Sequence, residues 1–111
     1  MATKVFEGKY KNASDQIYLV DNGRFYKGKY SNSSDELKNI KPAGINIQDN
    51  KVFKGKNHNS SDQIMLIDDE KIFEGKYSNS SNQIAIIDGD TLTEEENFTL
   101  MYLLAQRNNL I

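Results

Sequence analysis

The sequence predicts a mainly β fold: an eight-stranded antiparallel meander of four hairpin repeats, forming an open curved or barrel-like sheet, followed by one C-terminal α-helix. Three observations support this prediction. A stretch of the type FEGKYKNASDQI occurs four times in tandem. Within each copy, apolar and polar residues alternate with the period of a β-strand. Residues 91–111 contain no further copy and begin with a helix-capping signal.

The four repeats fill most of what we predict to be a single domain of residues 1–111. Each repeat consists of a strand such as VFEGKY, a loop rich in Asn, Ser and Asp, and a second strand such as QIAIID. Asn, Ser and Asp favour loops because their side chains hydrogen-bond to nearby backbone groups. The repeats span residues 4–23, 24–50, 51–70 and 71–90.

The second repeat is longer than the others because of an insertion. Aligning INIQDN (residues 45–50) with IYLVDN (residues 17–22) places seven extra residues within 36–44. Long excursions from a regular repeat often lie at a binding face. Three residues of the insertion are therefore candidate binding residues: Lys38, Lys41 and Pro42.

Short turns join consecutive repeats, and the first turn sets the register of the sheet. Asn22 and Gly23 both tolerate positive φ, so they favour a two-residue hairpin turn. In that turn Val20 lies opposite Phe25, and the pairing of the other residues follows by counting outward along the two strands.

This register predicts one continuous apolar face, which we expect to form the core. The other face is expected to be solvated apart from an apolar band. The strand glycines point to the core face, where the missing side chain leaves room for neighbouring rings. The predicted core residues are Phe6, Tyr10, Ile17, Leu19, Tyr26, Tyr30, Ile45, Ile47, Phe53, Ile64, Leu66, Phe73, Tyr77, Ile84 and Ile86.

The four loops have two open interpretations. In the first, the Asn and Asp side chains only shape the turn by hydrogen bonding to the backbone. In the second, the repeated polar side chains bind sugars, as in a repeat lectin. The candidate loop residues are Asn12, Asp15, Asn32, Asp35, Asn59, Asp62 and Asn79.

The C-terminal segment predicts a helix that begins after Thr93, since Thr93 and Glu96 fit a capping box. Residues 98–105 are apolar almost all round, so we expect the helix to be buried on more than one side. Such a helix can cross several strands and also contact a second copy, and a homodimer is the expected assembly. The candidate self-association residues are Phe98, Met101, Tyr102 and Leu104.

Composition argues against several classes of protein. The net charge is −2 and the lysines are interleaved with acidic residues, unlike a nucleic-acid-binding surface. The chain has no cysteine, which excludes disulfides and thiolate metal sites. No stretch has the length of a transmembrane helix or the apolar core of a signal peptide, so we expect a cytoplasmic protein without a transmembrane segment.

An enzyme is not expected, because repeats supply similar groups at similar places, whereas catalysis needs an asymmetric constellation in a pocket. We expect no catalytic residue, no cofactor and no metal. One deep pocket near residues 36–44 is the feature that would indicate an enzyme instead. Acidic turn residues such as Asp68 and Asp69 leave a cation site open as an alternative, although Asp is also a common turn residue.

The opening of each repeat resembles that of MORN-type hairpin repeats. The segments FEGKYKN, FYKGKYSN, FKGKNHN and FEGKYSN carry this likeness, with Asn57 in place of an aromatic residue in the third, whereas the second strands differ. The resemblance implies stacked hairpins that act as a protein-interaction or membrane-association scaffold. We therefore predict a non-enzymatic binding or assembly module that self-associates, with a carbohydrate-binding, lectin-like protein as the alternative.

Overall fold

The computed structural model describes residues 2–111, which form one antiparallel sheet of nine strands and one α-helix. A mainly β fold with a C-terminal helix is therefore confirmed. The strands are β1 (Ala2–Glu7), β2 (Gln16–Asp21), β3 (Arg24–Lys27), β4 (Glu36–Leu37), β5 (Ile45–Gln48), β6 (Lys51–Lys54), β7 (Gln63–Asp68), β8 (Lys71–Glu74) and β9 (Gln83–Gly89), and the helix is α1 (Glu94–Arg107).

The strand count is nine rather than eight because the insertion divides the second repeat. β4 pairs with β3, whereas β5, which we expected beside β3, pairs with β6. The order across the sheet is β4-β3-β2-β1-β9-β8-β7-β6-β5. The first and last strands are thus paired at the centre, and β4 and β5, which follow each other in sequence, form the two edges. We call the gap between these edges the seam.

The seam is bridged by residues 38–44, and this short connection requires the sheet to curl. A chain advances at most about 3.6 Å per residue, so the path from Leu37 to Ile45 covers at most about 29 Å. Nine strands lying flat, about 4.8 Å apart, would place the two edges about 38 Å apart. The sheet is therefore strongly curved yet open, since no pairing joins β4 to β5 within residues 2–111.

Helix α1 fills the concave side of the sheet, which we call the inner face. Leu100, Met101, Leu104 and Ala105 are fully buried there, in one cluster with side chains from all nine strands. The predicted capping box is present: the Thr93 Oγ1 accepts from the Glu96 N–H at 3.1 Å, and Glu96 Oε1 accepts from the Thr93 N–H at 2.9 Å.

The helix runs along the strands and does not cross them, in contrast to the sequence expectation. Near its start, Glu96 Oε2 accepts from the N–H of Gly23, in the turn after β2. Near its end, Arg107 Nε donates to Glu7 Oε2 at 3.1 Å, at the opposite end of the sheet. A helix that is apolar all round is buried most completely when a curved sheet surrounds it lengthwise.

This burial corrects the candidate self-association surface. Met101 and Leu104 are fully buried inside their own chain, so they are not available to a second copy in this structure. Phe98 and Tyr102 are half-buried and pack against the same cluster. The apolar surface that suggested a partner is therefore covered within one chain.

The register at the first turn is confirmed, with Val20 opposite Phe25 and Asp21 opposite Arg24. The assignment of faces is wrong in part. Three β-bulges each leave one residue out of the strand pairing: Ile17, Ile64 and Ile84. These isoleucines pack on the inner cluster and not, as expected, on the same face as Phe6. The apolar band predicted on the otherwise solvated face lies under the helix and forms the inner core. On the outer face a second row is buried: Phe6, Leu19, Tyr26, Phe53, Phe73 and Ile86.

The second strand of the longer repeat lies one residue out of the expected register. Gln48 pairs with Lys51 across a turn of Asp49 and Asn50, so Ile45 takes the place expected for Asn46. A slip of one residue moves every side chain to the other face. Ile45 consequently joins the inner cluster, and Asn46 lies on the outer face.

Candidate functional site

Four loops connect the strands at the same point of each repeat, and each begins at a glycine. We number them loop 1 (residues 8–15), loop 2 (28–35), loop 3 (55–62) and loop 4 (75–82). The four glycines have φ between 86° and 90°, in the left-handed region that favours glycine. Nothing lies within 4 Å of the place where a Cβ would be, so the backbone turn requires glycine here, and not the close approach of rings that we expected.

Hydrogen bonds on both sides of the glycines anchor the loops to the sheet. The glycine N–H groups donate to carbonyls of the neighbouring strand at 2.7 to 2.9 Å. Three of the carbonyl oxygens accept in turn from side-chain amides: Gln83 donates to Gly8 at 3.0 Å, Asn46 to Gly55 at 2.8 Å and Gln63 to Gly75 at 3.2 Å. The loops are therefore held at a fixed angle to the strands.

Contacts beyond the glycines place loops 1 and 3 over the outer face of the sheet. In loop 1, Lys11 Nζ lies 2.9 Å from Glu70 Oε2 and 3.4 Å from Asp88 Oδ1, on β9. The hydrogen bond that Lys11 donates to Glu70 raises the pKa of Lys11. In loop 3, the His58 ring packs edge-on against Phe53, with ring centroids 5.3 Å apart. Loop 3 thereby covers Phe53, one of the side chains of the buried outer row.

Three tyrosines stand out on the surface of these loops. Tyr10, Tyr30 and Tyr77 occupy the same position in loops 1, 2 and 4, and their exposed fractions are 67%, 65% and 66%. Nearly all other large apolar side chains of residues 2–111 are buried or half-buried. The strand pattern of the sequence predicts these tyrosines in the core, and this prediction is wrong.

The three tyrosines lie in consecutive loops and form a row. The strands that lead into loops 2, 1, 4 and 3 are β3, β1, β8 and β6, which are every second strand across the sheet. Neighbouring loops are consequently about 10 Å apart measured across the strands. We call Tyr10, Tyr30 and Tyr77 the tyrosine row. Loop 3 continues the row with Asn57 in place of tyrosine.

Polar side chains flank each tyrosine along its loop. A lysine precedes it and an asparagine follows two residues later, as in Lys9 and Asn12 of loop 1, and both are exposed. The aspartates Asp15, Asp35 and Asp62 are half-buried at the end of loops 1 to 3. The surface therefore offers aromatic, amide, hydroxyl and charged groups in the same arrangement at successive loops.

The candidate asparagines shape the loops through their backbone and not through their side chains. Asn12, Asn32, Asn59 and Asn79 each precede a single turn of 3₁₀ helix and make no side-chain capping bond. Their carbonyl oxygens accept from the backbone N–H three residues on at 2.9 Å. The exposed amides are thus left pointing to solvent, apart from a 3.4 Å contact between Asn12 and Asp15.

The insertion residues lie away from the tyrosine row. Lys38 and Lys41 are exposed and Pro42 is half-buried, on the connection across the seam. A cavity of about 940 Å³ lies nearby, lined by Leu37, Lys38 and Ile40 and by the start of α1. Its lining also includes Glu95, Thr99 and Glu96, and the Glu96 carboxylate accepts backbone N–H groups.

The sequence carried a signal for the tyrosine row that the strand pattern obscured. We continued the alternation of the first strand through Gly8 to Tyr10. A glycine in the left-handed region ends the strand, so the residues after it no longer alternate between faces. A glycine two residues before each tyrosine is therefore the sign that the tyrosine belongs to a loop.

Comparison with known proteins agrees with this architecture of repeated hairpins and loops. The model of a family described as 6-fold beta flower protein matches residues 2–105, almost the whole chain. The chain belongs to this family. In this β-flower protein the repeated unit is a hairpin with its folded-over loop. The match does not confirm the expected MORN-type relationship.

No curated protein and no solved structure matches this β-flower chain. Within residues 2–111, the one helix is too short to span a membrane. Among residues 2–111, no group of three or more His, Cys, Asp or Glu side chains is arranged so that it could bind a metal ion.

Proposed function

We propose that this β-flower protein is a non-enzymatic binding module that self-associates and contacts another protein through its tyrosine row. The observation that carries the proposal is the equal, two-thirds exposure of Tyr10, Tyr30 and Tyr77. In a chain that covers its other large apolar residues, three equivalent exposed rings mark a contact surface. A cytoplasmic location, expected from composition, is part of this proposal.

The chemistry of the loops supports protein recognition. Tyrosine provides a large contact area while losing few rotatable bonds, and serine and asparagine supply adaptable hydrogen bonds, which is why binding loops of antibodies use these residues. The glycine anchors fix the loops before a partner arrives, which lowers the entropic cost of binding. Repetition in neighbouring loops favours a partner that touches several tyrosines at once.

The third repeat provides a matched test, since it carries Asn57 at the tyrosine position. We would immobilise the wild type, single Tyr→Asn variants, the variant Y10N/Y30N/Y77N and the variant N57Y. Proteins from cell extract that are retained by the wild type would then be purified and titrated. Affinity is expected to fall stepwise as tyrosines are removed and to rise for N57Y. Equal affinity of the wild type and the triple variant for every retained protein contradicts the proposal.

Carbohydrate binding is the second candidate, and it rests on the exposed amides of the four loops. The asparagines share one backbone geometry and present their side chains to solvent beside aromatic rings. A glycan array tests this function directly. Binding that weakens stepwise in the Asn32→Ala and Asn79→Ala variants supports carbohydrate binding. If the protein binds no glycan on the array, this function is rejected.

A further inference from the structure

β5 differs from the rest of the sheet in its composition and in its position. Each of the other eight strands contains at least one Asp, Glu, Lys or Arg, whereas β5, with the sequence INIQ, contains none. β5 is also one of the two edges of the sheet, and its one partner strand is β6. Charged side chains are one of the features that keep edge strands from pairing with other chains, and β5 lacks this protection.

The backbone groups that face the seam can be assigned from the pairing with β6. Gln48 pairs with Lys51 beside a two-residue turn, and the Gly55 N–H donates to the Gly44 carbonyl at 2.8 Å. Residues 44, 46 and 48 therefore direct their N–H and C=O groups to β6, and Ile45 and Ile47 direct theirs to the seam. Within residues 2–111, no backbone hydrogen bond joins the bridging segment 38–43 to β5.

We propose that β5 pairs in antiparallel fashion with β5 of a second copy, about a two-fold axis that passes through Asn46. In this register Ile45 lies opposite the second copy's Ile47, and the four N–H and four C=O groups that face the seam in the two copies all become paired. Inner residues meet inner residues and outer residues meet outer residues, since opposite residues of an antiparallel pair share a face.

A second copy fits this edge better than an unrelated strand does. A strand that alternates apolar and polar residues matches itself about such an axis, and isologous contacts of this kind are the commonest in homo-oligomers. The other edge, β4, has two residues, one of them Glu36, and Lys38 follows it. Pairing through β5 would join the two sheets and place two tyrosine rows in one particle, which increases avidity for a repeated partner.

The contact is short, so the dimer should be weak and reversible. Four residues from each copy bury less surface than a standard stable interface. The weight-average molar mass is therefore expected to rise with protein concentration from that of one chain towards twice that value. This inference rests on the self-association part of the proposed function and is independent of the tyrosine row.

Substitutions at Asn46 test the contact, because its two copies lie directly opposite each other. Like charges directly opposite are destabilising in a sheet. We expect N46K and N46D each to remain monomeric at concentrations where the wild type dimerises, and an equimolar mixture of the two to form a heterodimer. N46L is the matched control, since Leu19 and Leu66 occupy the equivalent outer positions of the second strands in other repeats. N46L should dimerise at least as well as the wild type.

A cysteine provides a second measurement that does not depend on charge, because the chain has no cysteine of its own. Under mild oxidation N46C should form a covalent dimer several-fold faster than Y77C, whose cysteine lies in loop 4. Molar mass would be measured by light scattering, and circular dichroism would show that each variant is folded.

The proposal is overturned if the wild type stays monomeric up to the highest attainable concentration. It is also overturned if folded N46K dimerises as the wild type does, or if N46C and Y77C oxidise at equal rates. The variant Y10N/Y30N/Y77N should dimerise normally. A loss of dimer in that variant would assign self-association to the tyrosine row and not to β5.

Discussion

Glu96 Oε2 accepts a hydrogen bond of 3.0 Å from the backbone N–H of Gly23, which joins the first turn of the helix to the first hairpin turn of the sheet. The other carboxylate oxygen of Glu96 accepts from the N–H of Thr93. One side chain therefore both caps the helix and fixes it against the sheet. Between positions 98 and 105 the helix has no exposed apolar residue. The double role of Glu96 explains why such a helix holds one position inside the curved sheet.

Glu96→Ala should lower the free energy of unfolding by about 1–2 kcal/mol, because it removes both hydrogen bonds. Glu96→Gln keeps one acceptor oxygen and should lower it by roughly half as much. Urea denaturation measures both. Glu95→Ala is the control, since Glu95 lies exposed in the same helical turn. If Glu95→Ala costs as much as Glu96→Ala, the effect arises from the helix dipole and not from these two bonds.

Gly75→Ala should lower the free energy of unfolding by about 1 kcal/mol, because the φ of 87° is unfavourable for alanine and the space beside it is open. Gly75→Asn should be less harmful, since asparagine adopts the left-handed conformation more readily. Thermal and urea unfolding check this order. A larger loss for asparagine than for alanine would mean that space, and not backbone conformation, selects glycine in the loops.

Leu104→Ala should lower the free energy of unfolding by about 2–5 kcal/mol, since Leu104 is fully buried in the inner cluster. The folded Leu104→Ala variant should have the same molar mass in solution as the wild type, because the side chain does not reach the surface. Tyr10→Asn is the control with the opposite pattern: no measurable change in stability and weaker partner binding. Dissociation of a dimer by Leu104→Ala without loss of stability would contradict the burial.

Local features of the fold could be predicted from the sequence. The turn at Asn22 and Gly23 sets its register through two residues that tolerate positive φ, and the capping box at Thr93 is a contact over three residues. Both signals lie within a few positions of the chain. The Asn, Ser and Asp segments were likewise correctly predicted to be loops, although each loop begins four residues earlier, at its glycine, and the asparagine side chains make no capping bond.

Features that depend on distant residues could not be predicted. The pairing of β1 with β9 joins the first and last strands of the sequence at the centre of the sheet, and no local pattern distinguishes it from a meander that is open at those strands. The bulges that turn Ile17 and Ile64 to the inner face occur where these strands pair with β1 and β6, so they depend on the partner strand as well as on the local sequence. The position of the tyrosine row depended on where each strand ends, which the backbone conformation of the glycines decides.

Alkaline pH should destabilise the fold through Tyr18. Burial raises the pKa of the Tyr18 phenol, and the neighbouring Arg107 lowers it by less. The unfolded phenol has a pKa near 10. Since the folded-state pKa lies above that value, the unfolded state loses its proton more readily once the pH exceeds about 10. The urea midpoint of the wild type should therefore be constant from pH 8 to about pH 9.5 and fall at higher pH.

Tyr18→Phe removes the ionising group and should flatten this decline without abolishing it. Lys11 contributes in the same direction, since the hydrogen bond that it donates to Glu70 raises its pKa, and this stabilisation is lost as the pH rises through the raised pKa. The double variant Y18F/K11Q should consequently show the smallest dependence on pH above 10. A decline as steep in Y18F as in the wild type would mean that the buried phenol is not the group whose ionisation drives alkaline unfolding.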